Sequence, residues 1–410
     1  MEKNTDGIIK FFRYSCLLCI LILGFITIVG SGQGDPWYSE SVYEGMYTSI
    51  AIDDLNGDGA LDIAITRVIL DSPPPHPSSI VVILQDPLKP GSFQTPDRYS
   101  VGYDAWSIAI GDLNDDGLPD LAAANLKSDS VSILFQDSAE PDNFLDAINL
   151  PTGIRPRRVT IGDLNGDGLG DLAIADENTS ILLQDSNTPG TFLSATTLGF
   201  YSNCVGIGDL NGDNLPDLAV TGAKAGTVAI LLQDSINTGE FIPATYFNTG
   251  PQPHFVSIGY IDGDLLPDLA VVNSGSDSAN GSVSVLLQDP STPGSFLTLG
   301  NYVTGRSSDE AAIEDLNGDN LSDLVVVNSR GLVNDYPIGT ISVLLQNLSS
   351  DGTFQDPTDY NMIFQPLSLA IGDLNGDSLP DIAVADDGAL VLFQKPSSPG
   401  IFYPPKHAGG

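Results

Sequence analysis

The residues of this chain best suited to chemistry are acids that return at fixed odd spacings. "DLNGDGLGD" begins at Asp163 and places Asp163, Asn165, Asp167 and Asp171 at positions 1, 3, 5 and 9 of a nine-residue stretch. In a loop that turns back on itself, alternate side chains are directed at one point, and the backbone carbonyl of Leu169 at position 7 can join them. Oxygen donors without His or Cys suit Ca²⁺, which takes about 6 to 8 ligands at about 2.3 to 2.6 Å and tolerates a flexible loop, whereas Mg²⁺ wants a tighter octahedron.

The same donors recur along the chain. They are Asp54, Asn56, Asp58, Ala60 and Asp62; Asp112, Asn114, Asp116, Leu118 and Asp120; Asp209, Asn211, Asp213, Leu215 and Asp217. Two later copies supply Asp315, Asn317, Asp319, Leu321 and Asp323, then Asp373, Asn375, Asp377, Leu379 and Asp381. The fifth copy, "YIDGDLLPD", departs: Tyr260 takes the first acidic place, leaving Asp262, Asp264, Leu266 and Asp268, so of up to seven Ca²⁺ sites it is expected to be the weakest. Position 6 wants a left-handed residue, which Gly59, Gly117, Gly168, Asn214 and Asn320 satisfy, Ser378 less well and Leu265 poorly. The opening is like an EF-hand loop, but that loop closes on a bidentate Glu at position 12, where this chain has Ile174, Ile65, Ala123 and Val220. The closing acid is at position 9, at the head of a strand, so a helix-loop-helix module is excluded.

Seven such loops need seven similar supports. Their first positions lie 58, 51, 46, 51, 55 and 58 residues apart, the mark of a repeat array with variable loops. Each unit reads as a short apolar lead-in, the acidic loop, an "LPDLAVAN"-like segment, a "SVSVLLQD"-like segment, then "PGSF" and another extended piece. Segments this short, rich in Val, Ile, Leu and Ala and punctuated by Gly, Pro, Asn and Asp, predict four strands per unit and no useful helix. The expected fold is all-β: a seven-bladed β-propeller with four-stranded antiparallel blades, whose first and last units shield each other. Few residues follow "PGIF", and "SESVYEG" (Ser39–Gly45) is spare, so the N-terminal segment is expected to complete the last blade, the alternative being that the C-terminal residues do so themselves.

Composition narrows the setting. A formal net charge of -38, from 53 acids and 15 bases, argues against nucleic acid and anionic lipid as partners. Lys10 and Arg13 precede "YSCLLCILILGFITIVGSG", so residues 1–34 read as a cleaved signal peptide or an uncleaved anchor, with residues 35–410 exported as one propeller. Cys16 and Cys19 lie in that segment, which leaves Cys204 alone and no internal disulfide; calcium would then supply the staple.

These repeats resemble the FG-GAP or VCBS family, which builds the integrin α-subunit propeller and many secreted bacterial propellers. The resemblance covers Asp54 to Phe402 and implies seven blades, with Ca²⁺ in the loop joining the first two strands of a blade. On the face opposite those loops, the connections between blades carry Tyr103, Trp106, Arg155, Arg157, Arg158, Tyr201, His254 and Arg306. Aromatic and guanidinium groups so grouped are either a recognition surface for a carboxylate-bearing or sugar ligand, or interblade packing with arginines neutralising acids. The three histidines, His76, His254 and His407, show no nucleophile pattern. The expected role is an extracellular, secreted or cell-surface adhesion module for a protein or glycan, membrane-bound only through its N-terminus. A propeller-fold polysaccharide lyase or hydrolase and a structural surface component are the alternatives.

Overall fold

The computed structural model describes residues 45–70, 74–222, 224–275, 280–330, 332–333, 336–348 and 352–408, all within one compact unit. The expected leader or anchor, Cys16, Cys19 and nearly all of Ser39–Gly45 lie outside these residues. Among the described residues there is no helix.

Blade 4 shows how the sequence becomes a sheet. Cys204–Gly208, Asp217–Thr221, Thr227–Leu231 and Thr245–Asn248 pair antiparallel in chain order. Its second strand is buried at every residue, because alternate side chains serve two different interfaces. Leu218 and Val220 pack toward blade 3, and Ala219 packs toward blade 5. The "DLAV" pattern therefore places branched residues on one side and a small residue on the other, which fits a wedge-shaped blade.

The same arrangement closes a ring. Seven apolar clusters each join two neighbouring sheets, and one of them brings Ile50, Ile63 and Ile65 of the first blade against Ala383, Ala389 and Val391 of the last. Seven interfaces joining seven four-stranded units leave no open end. The innermost strands are Met46–Asp53, Ala105–Gly111, Arg158–Gly162, Cys204–Gly208, Pro253–Gly259, the second half of Phe296–Glu314, and Ser368–Gly372. Neighbouring inner strands are clipped together: Ser49 Oγ accepts from Ile108 N, Ser107 Oγ from Val159 N, and Ser368 Oγ from Ile50 N. Thr160 Oγ1 donates to Val205 O and Ser257 Oγ to Ala311 O.

Two features bear on the expectation. The 19-residue strand Phe296–Glu314 is at once the outer strand of blade 5 and the inner strand of blade 6, so Arg306 lies in a continuous strand rather than a loop. The last blade's fourth strand is Lys406–His407, which pair with Val391 and Leu390, as the alternative to the N-terminal segment had it. Phe402 and Ala408 are buried on either side of that short strand and hold the C-terminal residues against the blade.

The "PGSF" turns also have a packing role. Phe144 and Phe402 meet Tyr99 and Tyr360 of the preceding blade edge-on, at 5.7 and 5.8 Å between ring centroids. Each of these tyrosine hydroxyls accepts the backbone N–H of its phenylalanine.

Candidate functional site

Each acidic loop is the hairpin between the first and second strands of a blade; Asp53 pairs with Asp62, and Gly208 with Asp217. In six hairpins the position-1 Asp folds the loop over itself. In the third, Asp163 Oδ1 accepts from Gly166 N and Asp167 N, and Oδ2 accepts from Gly168 N at 2.9 Å. Position 5 accepts from the N–H of position 7 in all seven loops, Leu266 N to Asp264 Oδ1 in the fifth included.

Position 6 is left-handed throughout, as its residues require, and Leu265 is forced to φ 69. Position 4 is left-handed as well, at Gly57, Asp115, Gly166, Gly212, Gly263, Gly318 and Gly376. Sequence reasoning missed this second requirement, although glycine in six of seven copies was its signal.

The position-9 aspartates Asp62, Asp120, Asp171, Asp217, Asp268, Asp323 and Asp381 are fully buried. Their Oδ2 accepts the N–H of position 2, from Leu55 in the first blade and Ile261 in the fifth. Their Oδ1 accepts the N–H of the glutamine ending the third strand, as from Gln85 and Gln288. That glutamine is another residue sequence reasoning passed over. In blades 2, 4 and 6 its amide also donates to the preceding blade's position-2 carbonyl, Gln136 to Leu55, Gln233 to Leu164 and Gln346 to Ile261. Burial, opposed by these hydrogen bonds and reinforced by the neighbouring loop acids, lifts Asp62 and Asp381 to about 7. The same causes lift Asp171 and Asp217 to about 6.

Among the described residues no three His, Cys, Asp or Glu side chains stand close enough to hold an ion by themselves. A cation would therefore draw on the Asn amide oxygen and the position-7 carbonyl as well as on carboxylates that close around it. The donor chemistry suits this: every candidate atom is oxygen, and a carboxylate oxygen that accepts one N–H keeps a second lone pair. The hairpins also lie against the next blade. A side chain at Gly190, Gly239 or Gly294 of the strand 3–4 turn would meet Asn114, Asn165 or Asn211 of the preceding hairpin. In blade 2 this turn has Asp142 instead of glycine, and Asp142 Oδ1 accepts from Asn56 Nδ2 at 3.1 Å.

At the opposite end of the inner strands the predicted ligand-face residues separate into groups. Arg158 is largely buried, lies 4.5 Å over the ring of Phe255 and pairs with Glu310 at 3.0 Å. Arg157 stands 5.8 Å over Tyr201, whose hydroxyl donates to Asn203. His254 is next to Asp309, with Nδ1 3.2 Å from the Asp309 carbonyl. Burial and the charges of Arg158 and Arg157 press its pKa down to about 4, so the ring is neutral near pH 7. Trp106 is partly exposed. Arg155 is separate: it sits at φ 58 in a turn repeated at Asp104, Gln252 and Ser307, and pairs loosely with Glu177 in solvent. Tyr103 lines another recess, beside Asp129, and Arg306 pairs in register with Asn280 and Arg330. Arg158 and Arg155 thus neutralise acids, while Arg157, Tyr201 and His254 surround the mouth of the ring.

The fold and its hairpins define a closed β-propeller built from acidic-loop repeats. A model described as FG-GAP-like repeat matches residues 54–123, 112–174, 163–220, 209–271 and 315–384, and the chain belongs to that family. No match begins at Tyr260 or at Asp373. Of the proteins with curated function, none matches the chain. Among solved structures it is similar to BBS1N in complex with ARL6DN, soaked with lead, at 15% identity and TM-score 0.53, covering 88% of this chain and 94% of that one. The same complex soaked with mercury gives 15% identity and TM-score 0.55, covering 90% and 98%. Likeness at this identity speaks to the fold.

Proposed function

We propose that this protein is an exported, calcium-stabilised propeller that acts as a binding module, presenting the mouth opposite its acidic hairpins to an extracellular protein or glycan. The observation that carries the binding reading is the cluster of partly exposed Arg157, Tyr201 and His254 at the heads of inner strands fixed by interblade packing, with His254 in its strand and Arg157 and Tyr201 just before theirs. Amphipathic rings and guanidinium groups on a rigid support bind at low entropic cost. BBS1N was crystallised with a protein partner, which supports a protein as one class of ligand for a propeller of this kind. Export rests on the basic and apolar N-terminal segment.

In the calcium reading, positions 1, 3, 5, 7 and 9 of each hairpin hold the ion, which offsets repulsion among the loop acids and ties the hairpin to the next blade. Arrays of ectodomains and of glycans, probed with the purified protein in calcium and in chelator, test the whole reading. Binding that is lost in chelator and weakened by Tyr201→Ala is expected; absence of binding to both arrays would overturn it.

A further inference from the structure

Between blades 5 and 6, beside the mouth, lies a recess of about 430 Å³ lined by Gln252, His254, Ser274, Asp309, Ser329 and Arg330, among others. We infer that this recess is a binding site for a neutral saccharide, held by hydroxyl hydrogen bonds to Asp309 and His254 and by donors from Arg330. This rests on the binding-module reading and names the ligand class at one place on that face.

Three observations lead there. Asp309 Oδ2 is buried and has no hydrogen-bond partner among the described residues, and a buried acceptor left unpaired costs about 1 to 3 kcal/mol, or more when it is charged. His254 Nδ1 faces a backbone carbonyl, which can only accept, so this neutral ring carries its proton on Nδ1 and leaves Nε2 as an acceptor. Of the serines, Ser274 Oγ donates to Gln252 O and can still accept, while the Ser329 hydroxyl lies within reach of both Ser307 O and the Asp309 carboxylate, which leaves Oδ2 as the unpaired acid oxygen.

The charge pattern selects among ligands. Asp309 opposes an anion, while Arg330 and the nearby Arg158 and Arg157 oppose a cation. What fits is an uncharged molecule with donors and acceptors a few ångströms apart, as on adjacent ring hydroxyls. A peptide would look for apolar side-chain pockets, and the lining is Gln, His, Ser, Gly, Asp and Arg, with no aliphatic or benzenoid side chain.

The test is saturation-transfer NMR on the full protein with the neutral methyl hexopyranosides of glucose, galactose and mannose, alongside glucuronate and a capped neutral tripeptide. Transfer to at least one hexoside is expected, with affinity reduced about tenfold or more by Asp309→Ala, as for loss of a hydrogen bond to a charged group. Glucuronate and the tripeptide should bind more weakly. Asp309→Asn, which keeps the shape but turns one acceptor into a donor, covers the case in which the alanine variant does not fold. No transfer to any hexoside, unchanged transfer in a folded Asp309 variant, or preference for the tripeptide would overturn the inference. An ectodomain bound through Tyr201 with no hexoside binding would leave the module reading standing and this site rejected.

Discussion

The Arg158 guanidinium lies 3.0 Å from the Glu310 carboxylate, joining the inner strands of blades 3 and 6 across the ring. Both side chains are largely buried, and Glu310 also bonds to Ser368 of blade 7. Arg158→Met leaves a buried acid unpaired and is expected to cost about 3 to 5 kcal/mol, whereas Arg158→Met with Glu310→Met should recover most of that loss. Denaturant unfolding of the three proteins checks this; a single variant as stable as the double would contradict the coupling.

Leu265 is held at φ 69 with its side chain 81% exposed. A left-handed leucine costs about 1 to 2 kcal/mol over glycine, and no packing is lost on removing it. Leu265→Gly should therefore raise the melting temperature, by an amount equivalent to about 1 kcal/mol. A lower melting temperature would contradict the strain argument.

The buried position-9 aspartates have a definite pH signature in the metal-free protein. Their folded pKa values, about 7 at Asp62 and Asp381 and about 6 at Asp120, Asp171, Asp217, Asp268 and Asp323, lie above the ordinary 3.8. The native state binds more protons than the unfolded chain in between, so their contribution is fully present below 3.8 and is lost as pH rises through 6 to 7. His254, pressed down to about 4, works the other way between 6.5 and 4, one residue against seven. In chelator, stability should fall from pH 5 to pH 7.5; thermal melts across that range check it, and a rise would show that other groups dominate.

Asp142 stands where the other blades have glycine and meets the first hairpin through Asn56. With Asp54, Asp58 and Asp62, the first loop then has four acids in it or against it that could close around an ion, while the fifth has only Asp262, Asp264 and Asp268. More carboxylates mean tighter calcium, so the first site should fill before the others and the fifth last. Asp142→Gly should remove the tightest phase in a competition titration against a chelating dye; an unchanged profile would show that Asp142 serves packing alone.

Much of this was legible in the sequence because the repeat is local. The "DLNGDGLGD" spacing predicts the hairpin, and its copies predict seven sheets, since period and turn chemistry act within a few residues. The Gln85 and Asp62 partnership, the Phe402 and Tyr360 contact and the Arg158 and Glu310 pair were not legible, since each joins segments that only folding brings together, the first within a blade and the others between blades. The mouth was read as one surface of loop residues, yet Arg155 is set by a left-handed backbone turn and Arg306 by strand register. Counting the residues left over could not choose between the two candidate latches; burial of Phe402 and Ala408 beside the Lys406–His407 strand does so for the C-terminal one.

The most direct measurement is calcium uptake by the purified, chelator-stripped protein, followed by calorimetric titration with a parallel thermal melt. The account predicts several ions bound per chain and a melting temperature higher by several degrees in calcium than in EDTA, in keeping with stabilisation of the native state by a ligand it alone binds. No uptake, with identical melts in the two conditions, would contradict it and leave the acidic hairpins as turns held by their own backbone hydrogen bonds.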